Sequence, residues 1–406
     1  MSPVDALPTP PGDYPAVAVV DLDAIAGNVA TLREHAGGSP LMAVVKADAY
    51  GHGLLPSARA ALRGGASWLG VAQLSEAFRL REGGVTAPVL AWMLTPDSDY
   101  RGALRHDVEL GVSAPWALEA AAAAAREEDR VARVQLKADT GLGRNGAYAL
   151  PVPGGPGRTD WAALVDTATR LEAEGTIRVT GLFSHFAAAD APQHPTVSQQ
   201  QRTFADAVAL AERAGLRPEL RHLANSAATL TTPGARWDMV RPGVAVYGLT
   251  PAPDVGSSAD FGLVPAMTVL ALASVVKRVA AGQGVSYGHT YTTPAETTLV
   301  DIPIGYADGV PRHVSNSAEV LAGGRRHRIA GRVCMDQFVI DVADTPVAAG
   351  DRLVLFGPGR AGEPTAQEWA EAAGTINYEI VSRFGPRVPR RYVGEDVAPG
   401  TEGDQR

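Results

Sequence analysis

The sequence predicts an α/β protein, an eight-stranded parallel (β/α) barrel followed by a C-terminal, mainly antiparallel β domain. Three observations carry this expectation. The 406-residue chain is too long for one ordinary core. Up to Thr250, short β-branched runs alternate with Ala/Leu/Arg/Glu-rich amphipathic segments, the pattern of a parallel α/β fold. Beyond Thr250 the amphipathic helices largely stop, and short β-like runs bounded by Gly and Pro take over.

The strand candidates of the first part are Val17–Leu22, Leu41–Val45, Trp68–Val71, Val89–Met93, Val108–Val112, Val131–Lys137, Ile177–Ser184, Leu220–Leu223 and Met239–Val246. That is one more than an eight-stranded barrel holds, so the first is expected to join the β domain. Among the helices, Ala24–His35 has Asp23 as its expected N-cap, and the alanine run of Ala117–Glu128 is strongly helix-forming. Thr196–Ala214 is the longest. A Pro/Gly/Ser-rich link, Pro251–Phe261, puts the boundary near Pro253–Phe261, giving a barrel over 16–257 and a β domain over 258–396. In the latter the expected strands are Met267–Arg278, Thr297–Ile302, Arg328–Ile329, Gln337–Val342 and Arg352–Phe356, and only Ala366–Ala373 reads as helix. The ends, 1–15 and 397–406, read as disordered tails.

A net charge of -8 and a pI near 5.6 argue against a nucleic-acid or anionic-membrane surface. The one dense basic run, Arg325–Arg328, follows glycines and reads as a solvated turn. A single cysteine, Cys334, excludes an intrachain disulfide framework and fits a reducing cytosol. Cys334 itself reads as a small buried apolar residue. The first fifteen residues are Pro-rich without a basic start or apolar core, and no apolar run approaches the ~20 residues of a membrane span. No His/Cys/Asp cluster has metal-ligand spacing. The expectation is a cytoplasmic enzyme without metal, nucleic-acid or membrane partners.

The chemistry centres on Ala43–Gly53, AVVKADAYGHG, which delivers Lys46 from a short apolar run into a glycine-bounded polar turn. A lysine at the carboxyl end of a barrel strand has two readings. Partial desolvation makes it a neutral amine that attacks carbonyls to form a Schiff base, or its stem snorkels out to a surface ion pair. The phrase KADAYGHG resembles the pyridoxal-phosphate lysine motif of the alanine racemase family. Seven further motifs, in that family's order, extend the resemblance from Val17 to about Tyr392.

KADTGLGRNG, Lys137–Gly146, contains a literal G-x-G-x-x-G, but Pro151, Pro153 and Pro156 break the helix a dinucleotide fingerprint needs. It resembles instead the family motif that places an arginine, here Arg144, on the cofactor's phenolic oxygen, with Lys137 carbamylated to hold it. Unmodified, Lys137 would repel a nearby Arg144, so an anion is expected between them. The resemblance further implies that His185 in FSHFAAAD is catalytic, and that Asn225, Ser226, Gly243, Val244, Tyr50 and Tyr378 bind the cofactor, largely at its phosphate. Arg241 in RPGV would face the pyridine nitrogen. An arginine there accepts no proton and leaves the cofactor a weak electron sink, which favours returning a proton to the same carbon. VSYGH resembles the family motif of the second base, which would make Tyr287 that base, opposite Lys46, activated through a Tyr287–His185–Arg241 chain. By the same resemblance Tyr306 would narrow the entrance, while Met335 and Asp336, with Arg144, would bind the substrate carboxylate. The Gly154–Pro156 insertion leaves the loop after Arg144 undetermined.

The resemblance implies interconversion of L- and D-alanine, supply of D-alanine for peptidoglycan, pyridoxal 5'-phosphate as cofactor, and a head-to-tail homodimer sharing its active sites. Alternatives are a broad-specificity racemase or decarboxylase of the same barrel class, or a non-catalytic pyridoxal-phosphate carrier. Arg241 and Tyr287 speak against the decarboxylase. Carriers lack the second domain.

Overall fold

The computed structural model describes residues 7–150 and 159–394. Seven parallel strands run in the order Met42–Val44, Trp68–Val71, Val89–Ala91, Glu109–Val112, Ala132–Asp139, Ile177–Phe183 and Leu220–His222. Residues 238–242 complete the barrel. Asp238 and Arg241 donate to the carbonyls of Arg221 and Ala224, while Met42 and Val44 donate to those of Val240 and Pro242, each at 2.9–3.0 Å. The expected strand Met239–Val246 stops there because Pro242 has no N–H to extend the ladder. Val244–Tyr247 turns into a 3-10 helix.

Helices wrap the barrel with one apolar face inward. Leu22–His35 buries Ile25, Val29 and Leu32, and Pro195–Arg213 buries Val197, Phe204, Val208 and Ala211, at three- and four-residue spacing. The N-cap of the first is Asp21, not Asp23: Asp21 Oδ1 accepts from the Asp23 and Ala24 amides at 2.9 Å. Asp21 ends the preceding strand with extended backbone, which is what a cap requires, whereas Asp23 is already in the first turn and pairs with Arg63 at 2.7 Å.

Residues 248–266 carry neither helix nor strand, and antiparallel structure follows. The strand Ala16–Asp21 lies here, antiparallel to Met267–Leu272 and parallel to Arg390–Val393. The six-stranded sheet also contains Glu319–Ala322, Arg325–Arg328 and Arg352–Phe356. The expected single strand Met267–Arg278 is two. Met267–Leu272 stays in this sheet, while Val275–Val279 pairs with Thr297–Ile302 in a three-stranded sheet, the chain changing sheets at Ala273–Ser274.

Arg325–Arg328 is an edge strand rather than a solvated turn. Gly323 and Gly324, at φ 54° and 76°, make a two-residue hairpin turn that pairs it with Glu319–Ala322. Its arginines occupy a sheet edge, where charge discourages pairing with other chains. A second helix beyond the expected one, Asn377–Ser382, carries Tyr378. Of the tails, residues 1–6 and 397–406 lie outside the described residues, as do Pro151, Pro153 and Gly154–Pro156. Residues 7–15 are described, and Arg352 Nη1 donates to the Leu7 carbonyl at 2.8 Å.

Candidate active site

Lys46 leaves the end of the first barrel strand and is followed by four residues, Ala47 to Tyr50, with φ between 51° and 56°. A left-handed turn of L-residues costs about 1–2 kcal/mol per residue, roughly 4–8 kcal/mol here, so the surroundings must enforce it. The buried Glu76 carboxylate does so from beneath, accepting from the amides of Ala47 at 2.6 Å, Ala72 at 2.9 Å and Gln73 at 3.0 Å. The turn then runs against the last elements of the β domain. A Cβ on Gly51 would lie 2.4 Å from the Val381 carbonyl oxygen, and one on Gly53 1.9 Å from the Tyr392 hydroxyl. Both glycines are needed for that approach, which locks the lysine turn between the two domains.

Lys46 opens onto a cavity of about 290 Å³ at the barrel's C-terminal mouth. Among the described residues its lining contains Lys46, Lys137, Arg144 and Arg241, and no Asp or Glu. Burial, and then Arg144, lowers the Lys46 pKa. Lys137 is 5% exposed, and burial together with Arg241, Arg144 and Lys46 brings it down to about 7. His185 is held well below its ordinary value by burial and then by Arg241 and the other cations, so it is neutral at pH 7. A cluster of this kind is complete only with an anion between its members.

Arg144 sits in a loop wound around Asp139, whose carboxylate accepts from the amides of Gly141, Leu142, Gly143 and Arg144 at 2.9–3.2 Å. A short strand, Ala147–Tyr148, follows instead of a phosphate-binding helix. At the other end of the cavity Ser226 Oγ accepts from the Gly243 amide at 2.8 Å, tying the start of the helix Ser226–Thr231, capped by Asn225, to the loop after Arg241. A Cβ on Gly243 would stand 2.3 Å from the Tyr50 hydroxyl, so only glycine lets Tyr50 reach this loop.

The expected Tyr287–His185–Arg241 chain is not assembled within one chain. Arg241 takes its imidazole from His222, with Nη1 3.0 Å from Nδ1, and Nη2 donates to the carbonyls of Ser184 at 2.6 Å and Leu223 at 3.4 Å. The physical reason is direction: His222 points into the barrel beneath Arg241, where Phe183 stacks flat on its ring at 5.1 Å.

The cavity thus gathers Lys46, Tyr50, Lys137, Arg144, His185, Asn225, Ser226, Arg241, Gly243, Val244 and Tyr378. Tyr287, Tyr306, Met335 and Asp336 are not in its lining. They lie together on the β domain, where Tyr306 and Ala307 donate to the carbonyls of Cys334 and Met335 at 3.0 Å. Tyr287 is 71% exposed, held out by Ser286 at φ 60°, whose hydroxyl donates to the Arg332 carbonyl at 2.6 Å. Cys334 is half-buried rather than buried, with Sγ 3.3 Å from Ser286 Oγ.

Residues 20–251 match the family model for the alanine racemase N-terminal domain, and residues 266–392 that for the C-terminal domain. The chain belongs to the alanine racemase family. It is 60% identical over 381 residues to an alanine racemase of Frankia casuarinae, covering 94% of this chain and 97% of the relative. The Streptomyces coelicolor alanine racemase is 54% identical over 384 residues, covering 94% and 96%. Among solved structures, the alanine racemase of the D-cycloserine producer Streptomyces lavendulae superposes with a TM-score of 0.91 at 51% identity, covering 96% of this chain and 98% of its own. That of Bacillus anthracis with bound L-Ala-P gives 0.82 at 34% identity, covering 95% and 96%.

Several lining and supporting residues of this alanine racemase family member escaped the sequence reading. Trp92 and Phe183 line the mouth; a Cβ on Gly111 would lie 2.7 Å from Trp92 Cβ and 3.1 Å from Phe183 Cζ. Gln200, fully buried on the helix Pro195–Arg213, donates to the His185 carbonyl at 3.0 Å and to Thr140 at 3.1 Å, holding the His185 loop. A glutamine on the apolar face of that helix was the available signal.

The depressed Lys137 pKa has a measurable consequence for the cofactor-free protein. Because the folded value, about 7, lies below the ordinary 10.5, the folded state releases this proton first. The penalty for a buried cation is full below pH 7 and is relieved as pH rises from about 7 towards 10.5. Lys137→Met is expected to stabilise the cofactor-free protein at pH 6, on the order of 2–4 kcal/mol, with the advantage shrinking towards pH 10. Denaturant unfolding at the two pH values checks this, and equal stability of the two proteins at pH 6 contradicts it.

Proposed function

We propose that this chain is an alanine racemase that works with pyridoxal 5'-phosphate, a reading carried by the cavity lined by two lysines and two arginines without a carboxylate among the described residues. That donor set fits a ligand with a phosphate at one end and, beside it, a substrate carboxylate. Lys46 would hold the cofactor's aldehyde carbon, Arg144 its phenolic oxygen and Arg241 its pyridine nitrogen, with Ser226, Gly243, Val244, Asn225, Tyr50 and Tyr378 around the phosphate. Lys137 as a carbamate would supply the anion the cluster lacks beside Arg144, and its lowered pKa favours the neutral amine that carbamylation needs. When bound, the cofactor supplies an electron sink that acidifies the Cα–H of alanine.

The residues then divide the work. The Lys46 amine, its pKa lowered by burial and then by Arg144, moves a proton at one face of Cα. Tyr287 moves one at the opposite face. Met335 and Asp336 orient the substrate carboxylate with Arg144, and Tyr306 limits the entrance. Arg241 can only donate hydrogen bonds, so the pyridine nitrogen beside it stays unprotonated and side reactions are suppressed.

Tyr287 must come from a second copy. It is 71% exposed and absent from the cavity that holds Lys46. The barrel mouth exposes Met93, Trp116 and Tyr148 at 57%, 44% and 37%, and the β domain exposes Tyr287, Tyr306 and Met335. A two-fold homodimer that lays each β domain over the partner's barrel covers both apolar sets and completes two shared sites. We place the enzyme in the cytoplasm, its D-alanine serving peptidoglycan synthesis; among the described residues no helix is long and apolar enough to cross a membrane.

The test is direct. Protein supplied with pyridoxal 5'-phosphate and L-alanine should bring the circular dichroism of the solution to zero; unchanged optical activity overturns the reading. Arg241→Glu is expected to lower racemisation by about 10²-fold or more while raising pyruvate formed per racemisation event, since a carboxylate would keep the pyridine nitrogen protonated. An unchanged ratio would leave Arg241 a merely structural cation.

A further inference from the structure

Barrel interiors are ordinarily filled by layers of branched apolar side chains. This one contains a polar chain. The strand Ala132–Asp139 puts Arg133, Gln135 and Lys137 at alternate positions, hence on one face, climbing from the base of the barrel to the cavity. Beside Gln135 stand Glu109, Thr180 and His222, and all four are buried, at 0%, 4%, 6% and 0% exposure. His222 Nε2 lies 2.7 Å from Gln135 Oε1, and Gln135 Nε2 donates to Glu109 Oε2 at 2.9 Å. Thr180 Oγ1 donates to the same oxygen at 2.8 Å, and Arg133 Nε donates to Oε1 at 3.0 Å.

The sense of each bond in this chain is determined from its two ends. A guanidinium only donates, so His222 Nδ1 accepts from Arg241. A carboxylate only accepts, so the Gln135 amide must turn its nitrogen to Glu109 and its oxygen to His222. His222, neutral because burial and then Arg241 hold it well below its ordinary pKa, therefore carries its one proton on Nε2. Arg241 receives a countercharge at a distance, without a carboxylate on its own nitrogens to draw them away from the cavity. Its Nη atoms are occupied by His222, Ser184 and Leu223, and Nε makes no hydrogen bond among the described residues.

We propose that Glu109 is a positioning residue for the racemisation, acting through Gln135 and His222 to fix the His222 tautomer and thereby aim Arg241 at the cofactor's pyridine nitrogen. This rests on the role given to Arg241 above. Glu109→Gln preserves size but lets position 109 donate as well as accept, so the Gln135 amide can turn its nitrogen to His222 Nε2; the two ends then compete, because Nε2 accepts only when Nδ1 carries the proton and gives up Arg241.

The experiment has two readouts. In cofactor-free protein labelled with ¹⁵N-histidine, nuclear magnetic resonance should show His222 as one Nε2–H tautomer in the unsubstituted chain and as a tautomer mixture in Glu109→Gln. In cofactor-loaded protein, Glu109→Gln should lower kcat about 10-fold, as loss of an orienting partner typically does, with KM for alanine little changed and pyruvate per racemisation event raised. Arg133→Gln removes the charged partner of Glu109 outside the chain, leaving Thr180 in place, and should leave the tautomer and that ratio unchanged. Should Glu109→Gln fail to fold, Gln135→Leu interrupts the same chain one link nearer and should release the same tautomer. A single tautomer with an unchanged pyruvate ratio in the interrupted variant, or equal effects in Arg133→Gln, overturns the inference. If the unsubstituted protein does not racemise alanine, it is the functional reading that fails, while the tautomer measurement still decides whether the chain exists.

Discussion

Lys46→Ala is expected to cost more than about 10⁴-fold in racemase activity, because one substitution removes both the covalent anchor and one of two proton-transfer groups. Lys137, the other lysine in the cavity lining, is no substitute: it sits on a different strand, beside Arg241 and the Phe183 ring, 5.5 Å from that ring's centre. The left-handed turn after Lys46 is built from backbone and Glu76, so the alanine variant should fold with its cavity intact. Borohydride reduction followed by mass measurement of the intact chain separates anchor from fold. The unsubstituted protein should gain the reduced cofactor and the variant should not. A cofactor adduct retained on the Lys46→Ala chain would refute the assignment of Lys46.

The second large effect is a recovery. Tyr287→Phe alone should lower racemisation of L-alanine by about 10²–10⁴-fold, since the phenol on the other face of Cα is gone. If sites are shared, mixing inactive Lys46→Ala with inactive Tyr287→Phe chains gives heterodimers with one doubly damaged and one intact site. Activity should then reappear on subunit exchange, towards half of the normal value per heterodimer. Tyr287 and Lys46 lie on different faces of the same chain, one exposed on the β domain and one in the barrel cavity, so a site confined to one chain has no means of showing this recovery. Mixed dimers that form and stay inactive would end the shared-site reading.

The residues whose placement at the cavity was legible in the sequence are those positioned by local chain direction. Lys46, Tyr50 and the glycines after them belong to one turn, and a lysine delivered by an apolar run into that turn emerges at the mouth of a barrel wherever its neighbours lie. Arg144 and Gly243 likewise sit in loops that directly follow a barrel strand or the closing segment, and Ser226 opens the short helix after another such loop. Boundaries moved where one atom or one contact decided them: Pro242 ended the last barrel segment by lacking an N–H, and Asp21 took the cap expected of Asp23. The Arg325–Arg328 strand was missed because its charges suggested solvent, although Gly323–Gly324 carried the turn signal.

By itself the sequence determined the barrel and the β domain after it, because periodicity and turn chemistry are properties of neighbouring residues, and motifs resembling a known family's nominated the lysine, arginine and tyrosine around which the proposed chemistry is read. The tertiary structure alone decided which imidazole Arg241 meets and what stands behind it. His222 and Gln135 are 87 residues apart, and Gln135 and Glu109 are 26 apart. Only closure of the barrel brings their inward faces together where solvent hardly reaches them, so each buried donor must find an acceptor and the order of the chain becomes unique.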